Sequence, residues 1–227
     1  EKVVAKSTEP APAAPQEPQT AASRRAIARS QRISLADAID RTLRRESVDL
    51  VSRSRKRANP ADWLAAFYEE HRAYIVKQVA PQFRAHASMV GADISRELGR
   101  EAVVPESFVT NYIDGYAKRQ VAASRAEVRA ADPGALAALV ADWPTRAEWA
   151  AAREATQAGN AFAHAAYRAA GVLMMEWQAG DDCADCVGLH AKRIPIDGRF
   201  AQRGELSDDK FVPVAGLGHP PLCDGCE

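Results

Sequence analysis

Apolar residues recur at three- and four-residue spacing along the middle of the chain, which indicates amphipathic helices. Asn59 and Pro60 suit the N-cap and the first position of a helix. Pro81 is expected to kink or end that helix, so that a second one covers about 82–98 and stops at Gly99. The first of these two helices carries the strongest apolar stripe: Trp63, Leu64, Phe67, Tyr68, His71, Tyr74 and Ile75.

A third helix is predicted to begin at Pro105. Asp132, Pro133 and Gly134 then form a turn, and a short helix follows around 136–140. The apolar side of the third helix comprises Phe108, Tyr112, Ile113, Tyr116 and Val121.

A fourth long helix is predicted from the capping box of Thr145 and Glu148, running to Ala170 with Gly171 as its C-terminal cap. Its alanines permit close packing, so the helices are expected to be antiparallel neighbours in an elongated bundle. Residues predicted to lie on or near its packed face are Trp149, Ala152, Thr156, Phe162, Ala163 and Tyr167.

The pattern changes after Gly171. Residues 172–177 and 189–196 are typical of two strands, with a cysteine pair in the turn between them. The predicted fold class is therefore α+β: an elongated helical body at 59–171, followed by a small β-containing, cysteine-clamped module at 172–227.

Two segments precede the helical body. Residues 1–23 are rich in Pro and Ala and are predicted to be a disordered tail or linker. Residues 24–58 carry eleven basic against four acidic side chains, a net charge of +7. Ile33, Leu35, Ile39, Leu43 and Val48 suggest a weak amphipathic helix from about residue 34. This basic segment is interpreted either as a solvated linker helix or as a docking arm for an acidic partner or nucleic-acid phosphates.

Composition excludes some classes of protein. The 30 basic and 30 acidic residues balance, so a globally basic nucleic-acid binder is not indicated. No run approaches the roughly 18 apolar residues of a membrane span, and the N-terminal residues are not expected to be a signal peptide, because they lack an apolar central region. The first residue is Glu1 and not Met, which suggests a processed chain or a piece of a longer one.

The four cysteines form two Cys-x2-Cys pairs, Cys183 with Cys186 and Cys223 with Cys226. Two such turns can direct four thiolates at one tetrahedral zinc ion, which would fold the module and leave no open position for water. Disulfides and unligated thiols remain alternatives. Two histidines are rival ligands: His190 and His219.

Signs of catalysis are weak. Asp181, Asp182 and Asp185 surround the first cysteine turn, but carboxylates beside thiolate-bound zinc add negative charge to an anionic centre, so exposed turn residues explain them better. A nucleophile pair of Cys186 and His190 lacks a supporting motif, and phosphate-binding, zinc-protease and serine-hydrolase signatures are missing from the sequence. The chain is expected not to be an enzyme.

From about 152 to 226 the chain carries an ordered series of residue types: Arg153, Glu154, Asn160, Gly171, Trp177, Cys183, Cys186, Leu189, Pro195, His219, Pro220 and Cys223. This series resembles the Mu-F-like head morphogenesis domain of tailed bacteriophages, found in minor head proteins. In that family a helix with Arg and Glu near its start leads through an Ala-Gly turn to a strand holding Trp, then to Cys-x-x-Cys and a later His-Pro-x-Cys-x-Cys.

This chain departs from the family pattern at two places. It has His190 and Ala191 where the family often has Asp-Gly. Its last pair is Cys223-x2-Cys226, preceded by Pro221 and Leu222, where a single residue and a shorter Cys-x-Cys are usual.

The resemblance implies a virion component without established catalysis, assembled in the host cytoplasm and located in the head interior or at the portal vertex in a small number of copies. It implies a role in head morphogenesis and in DNA packaging or ejection. The helical body would contact the portal or major capsid protein, and the segment 24–58 the portal or packaged DNA.

Two other functions are considered beside it. A nucleic-acid-binding zinc module is disfavoured by residues 181–227, which hold nine acidic and five basic side chains. A metal-dependent hydrolase or toxin-like enzyme would need a metal with a bound water.

Overall fold

The computed structural model describes residues 19–56, 63–176 and 191–198. This part of the chain is mostly helical and ends in a small antiparallel sheet, in agreement with the predicted helical body and β-containing end. The helices are α1 (Gln19–Lys56), α2 (Leu64–Leu98), α3 (Glu106–Ala130), α4 (Leu136–Ala141) and α5 (Ala147–Ala169), and the strands are β1 (Met174–Glu176) and β2 (Arg193–Pro195).

The long helices α1 and α2 form an antiparallel pair. Near one end Arg53 bonds Glu70, and near the other Arg24 bonds Glu97, both at 2.7 Å. With about 1.5 Å of rise per residue, the 38-residue α1 is roughly 57 Å long. This pairing was not part of the prediction, which placed only the helices of 59–171 in the bundle.

Helices α3 and α5 complete the bundle. Arg84 of α2 bonds Glu106 at the start of α3, whereas Arg72 bonds Asp114 further along, so α3 runs antiparallel to α2. The end of α5 returns to the start of α1, since the Arg24 guanidinium lies 5.0 Å from the centre of the Tyr167 ring. The four long helices thus alternate in direction as up, down, up and down.

The core combines small residues on α5 with large aromatic residues on its neighbours. Phe83 of α2 makes edge-to-face contacts with Tyr112 and Tyr116 of α3 and with Phe162 of α5, at centroid distances of 5.3, 5.4 and 6.4 Å. The buried alanines let helix backbones approach closely, and they are Ala147, Ala151, Ala155, Ala158, Ala161, Ala163, Ala165 and Ala166.

Helix α1 belongs to this core, which differs from the prediction of a solvated linker helix at 24–58. The helix begins at Gln19, well before the predicted start, and therefore includes the end of the segment predicted to be disordered. Leu35, Ile39, Leu43 and Leu50 are buried against the other helices. Two members of the predicted stripe, Ile33 and Val48, are exposed, because they lie off this buried row.

Helix α2 passes through Pro81 without ending, so the two predicted helices are one. A proline inside a helix costs about 3 kcal/mol, since it removes a hydrogen bond and its ring crowds the preceding turn. Val79, Ala80 and Phe83 are buried around it, and their burial offsets this cost. The predicted N-cap at Asn59 and Pro60 lies outside the described residues, and the described part of the helix begins at Leu64.

The start of α5 also differs from the prediction. Residues Trp143–Arg146 form a 3-10 turn, and the N-cap position is Arg146, which makes no side-chain capping bond. The Thr145 hydroxyl instead donates to the carbonyl oxygen of Asp142 at 2.6 Å, so the predicted capping box is wrong. Thr145 lies inside the 3-10 turn that comes directly before α5, so its hydroxyl bonds a carbonyl of that turn and does not cap the helix.

The end of α5 agrees with the prediction. Gly171 has φ of +75°. Its amide donates to Arg168, and the Val172 amide donates to Tyr167, each at 3.0 Å. This pair of bonds is a Schellman motif, which turns the chain out of α5 and into β1.

The two strands are antiparallel, with Met174 opposite Pro195, Met175 opposite Ile194 and Glu176 opposite Arg193. They are shorter than the predicted strands, because residues 172–173, 191–192 and 196 are described and lie outside the sheet. Residues 177 and 189–190 lie outside the described part. Within the described ranges, no helix combines the length and apolarity needed to span a membrane.

Candidate functional site

The predicted zinc ligands Cys183, Cys186, Cys223 and Cys226, and the rival ligands His190 and His219, all lie outside the described residues. The structure does describe the base from which the first cysteine pair extends.

This base is a closed strand pair. Glu176 and Arg193 are opposite each other in the ladder, and the Arg193 Nε donates to the Glu176 carboxylate at 2.5 Å. The chain therefore leaves the strand pair after Glu176 and returns to it at Arg193, directly opposite. Cys183 and Cys186 lie within this closed segment.

The strand pair is anchored on the last turns of α5. His164 Nε2 donates to the carbonyl oxygen of Ile196 at 2.7 Å, which identifies Nε2 as the protonated nitrogen because a carbonyl can only accept. Arg168 forms an ion pair with Asp197 at 3.2 Å. Ile194 and Ile196 are also buried. The chain just after β2 is thereby held on α5 through Ile196 and Asp197.

Ala191, just before β2, has a positive φ of 61°. This left-handed conformation costs a residue with a Cβ roughly 1 kcal/mol, whereas glycine adopts it freely. A glycine at position 191 would adopt this conformation without that cost.

Glu154 links α5 to α3 inside the bundle. Its carboxylate accepts hydrogen bonds from the Tyr112 hydroxyl at 2.7 Å and from the Arg119 guanidinium at 3.1 Å. Burial raises the pKa of Glu154, and the charge of Arg119 opposes that rise. Burial, followed by the charge of Glu154, raises the pKa of Tyr112. This residue of the resembled motif therefore has a structural position between two helices.

Other residues of the resembled helix lie nearer the surface. Arg153 is exposed, with its guanidinium 5.5 Å from the centre of the Trp149 ring. Trp149 itself is 58% exposed, so its predicted place on the packed face is wrong. Asn160 is partly buried. A Cβ added to the neighbouring Gly159 would lie 3.3 Å from His86 Nε2.

A second buried polar group was not predicted. Glu46 of α1 and His71 of α2 are both buried, and Tyr68 lies next to them, with its pKa raised by burial and then by the charge of Glu46. His71 was predicted only as a member of an apolar stripe. The available signal was Glu46, an acidic residue placed three positions after Leu43 and four before Leu50 on the buried row of α1.

The positive charge of α1 is partly matched by acidic neighbours. Five of its arginines form ion pairs, with partners in α1 itself or in α2. The pairs are Arg24 with Glu97, Arg41 with Asp37, Arg44 with Asp40, Arg45 with Asp49, and Arg53 with Glu70. These contacts reduce the positive charge that this helix presents to a phosphate backbone.

Over the described ranges, no cluster of three or more His, Cys, Asp or Glu side chains is placed to hold a metal ion. No protein-family model matches the sequence, and neither curated proteins nor solved structures include a significant match to it.

Proposed function

We propose that this chain is a structural minor head protein of a tailed bacteriophage. The observation that carries the proposal is the ordered series of residue types from Arg153 to Cys223 that resembles the Mu-F-like head morphogenesis domain. The described part is compatible with that series: a helix containing Glu154 ends at Gly171 and leads directly into an antiparallel strand pair.

The proposed role is mechanical and not catalytic. The chain would act in head morphogenesis and in DNA packaging or ejection, from the head interior or the portal vertex of the virion. Four thiolate ligands would leave no open coordination position for a reacting water, so a zinc ion in the module would serve folding.

The proposed cofactor is one zinc ion held by Cys183, Cys186, Cys223 and Cys226, with His219 or His190 as alternative ligands. Thiolate and imidazole groups are the ligands that zinc prefers in structural sites. The strand pair at Glu176 and Arg193 supports this proposal, because it closes the segment that carries the first two thiols.

The proposed partners are the phage portal protein, the major capsid protein or both, contacted by the helical body in more than one copy per virion. Protein partners are favoured over packaged DNA as the target of 24–58, since many arginines of α1 already have carboxylate partners. Exposed ion pairs of this kind exchange readily with a polar protein surface at small energetic cost.

The partner proposal is tested by co-expression with the portal protein of the same phage, carrying an affinity tag on the portal. We expect the chain to co-purify with that portal and not with a tagged portal from an unrelated phage. Cryo-electron microscopy of assembled heads should then place the chain at the portal vertex. Equal recovery with both portals, or density confined to the outer surface of the head, would contradict the proposal.

The zinc proposal has a separate test. Purified chain should contain about one zinc ion per molecule, by analogy with structural sites of four ligands. Replacing Cys183 or Cys223 with Ser should abolish zinc binding and unfold the module, while the circular dichroism of the helical body is retained. Four titratable thiols in metal-free purified protein would rule the zinc clip out.

A further inference from the structure

Three buried polar side chains between α1 and α2 lack hydrogen-bond partners among the described residues. They are Glu46, His71 and Tyr68, with exposed fractions of 1%, 2% and 2%. The atoms concerned are both carboxylate oxygens of Glu46, both ring nitrogens of His71 and the hydroxyl of Tyr68. Buried polar side chains in folded proteins nearly always have a hydrogen-bond partner, either in the protein or in ordered water. These three therefore need a partner that the described residues around them do not supply.

The three side chains lie close together. Glu46 Oε2 is 3.3 Å from His71 Nε2, a distance that allows electrostatic attraction, but the contact is not a well-aligned hydrogen bond. The rings of Phe67 and Tyr74 stack with that of His71, at centroid distances of 5.5 and 6.1 Å, so partners of its nitrogens must approach at the ring edge. Burial raises the pKa of Tyr68, and the charge of the nearby Glu46 carboxylate adds to that rise.

Direct contacts within this group cannot satisfy all of its polar atoms. An ionised carboxylate has about four lone-pair sites, whereas a tyrosine offers one hydrogen and an imidazole one or two. Leu43 and Leu50, which flank Glu46 on the buried row of α1, offer no donor. A molecule that both donates and accepts hydrogen bonds is therefore needed, and water is the smallest one that does so.

We propose that one ordered water molecule is bound between α1 and α2, where it bridges Glu46, His71 and Tyr68. The water accepts from the Tyr68 hydroxyl, donates to the Glu46 carboxylate and bonds a ring nitrogen of His71. An internal water makes about three hydrogen bonds, which matches these three side chains. The water thus joins two helices at a place where their side chains do not bond each other directly. This inference does not rest on the head-protein assignment or on zinc.

The second buried carboxylate of the bundle provides an internal control. Glu154 also lies beside a tyrosine, but it accepts directly from the Tyr112 hydroxyl at 2.7 Å and from Arg119 at 3.1 Å. A tyrosine and an arginine bonded to the same carboxylate leave less need for a further donor. We therefore expect a bridging water at Glu46 and none between Glu154 and Tyr112.

The first test is a crystal structure of the full chain at a resolution that shows ordered water. We expect a density peak at about 2.7–3.2 Å from polar atoms of Glu46, His71 and Tyr68, and none between Glu154 and Tyr112. Three results would overturn the proposal: direct hydrogen bonds from His71 and Tyr68 to Glu46 with no peak among them, another side chain in that place, or an anomalous signal that identifies the peak as a metal ion.

The second test counts internal water in solution by oxygen-17 magnetic relaxation dispersion, which detects water molecules that exchange slowly with the solvent. Glu46→Leu combined with His71→Leu should reduce the number of such molecules by one relative to the wild type. Tyr112→Phe is the matched control, because it alters the directly bonded carboxylate site, and it should not lower the number. An unchanged number in the double variant would overturn the proposal, and the crystal structure of the wild type decides the question if that variant does not fold.

Discussion

Glu46 Oε2 and His71 Nε2 lie 3.3 Å apart between α1 and α2, and each side chain is only 1% exposed. Neither group has a hydrogen-bond partner among the described residues. Loss of one member would leave the other as a buried polar group against an apolar side chain, which costs free energy.

We therefore predict opposite outcomes for single and double substitutions at this pair. Glu46→Leu or His71→Leu alone should lower the free energy of unfolding by about 3 kcal/mol, and the double variant should recover most of that loss. Urea unfolding followed by circular dichroism measures all three. Asp37→Ala is the control, because it removes an exposed ion pair with Arg41 and should change stability by less than about 1 kcal/mol. Additive single effects in the double variant would argue against coupling.

Stability should fall in mildly acidic solution because of His86. Burial lowers the pKa of His86 to about 4. In the unfolded chain this group has a pKa near 6.5, so between those values the unfolded state binds more protons. The stabilisation is complete above about pH 6.5 and is lost as pH falls towards 4, by about 3 kcal/mol in total.

The measurement compares urea unfolding of the wild type and His86→Gln between pH 7 and pH 4. The variant cannot take up this proton, so its stability should fall less over that interval. The difference between the two curves isolates His86 from the carboxylates that also titrate. Parallel curves would show that His86 does not contribute to the acid sensitivity.

The helix–hairpin junction should respond in opposite senses to two substitutions. Ala191→Gly removes the strain of a positive φ, and Gly171→Ala introduces it, each by about 1 kcal/mol. The Ile196 amide, which bonds Leu173, reports on the strand pair. Its hydrogen exchange should slow in the first variant and speed up in the second. Faster exchange in Ala191→Gly would mean that lost backbone entropy outweighs the relief of strain.

Replacing each of two helical glycines with alanine should change the stability of the protein in opposite directions. A Cβ on Gly91 would lie 3.0 Å from the carbonyl oxygen of Ala102, whereas one on Gly115 would meet only the Arg119 guanidinium at 3.5 Å. Gly91→Ala should therefore destabilise the contact between α2 and the 99–105 loop by about 1–2 kcal/mol. Gly115→Ala should stabilise α3 by about 0.5–1 kcal/mol through helix propensity. Thermal unfolding of both variants checks the pair, and a stable Gly91→Ala protein would indicate that the 99–105 loop can move away.

Turns, helix ends and helical stripes were predictable because they depend on interactions between residues a few positions apart in the sequence. The turn at Asp132 follows from its side chain, which accepts the amide of Gly134 at 3.0 Å. The end of α5 follows from a glycine able to adopt positive φ. The helical stripes with Phe67 and Tyr112 follow from the helix period. The candidate zinc ligands were equally local predictions, and they lie outside the described residues.

Errors arose where partners distant in sequence decide the outcome. Leu35 and Leu50 are buried because α2 and α5 cover α1, although the sequence around them is strongly basic. Pro81 is accommodated because its neighbours are packed on both sides. Trp149 is exposed because it lies on the side of α5 that faces away from the other helices. Alanines are spread around the whole of α5, so the sequence did not show which face of that helix is buried.

The sequence by itself determined that the chain from α2 to α5 is helical, but not that α2 continues through Pro81 or where α5 begins. It also determined the switch to strands after Gly171 and the ordered residue types that suggest a phage head domain, because propensity and spacing act within a few residues. Only the tertiary structure decided that α1 is part of the core, that Glu46 and His71 share one buried position, and that Glu154 joins α5 to α3. Those relationships depend on which helix faces meet, and burial against a distant segment is not encoded in any single local pattern.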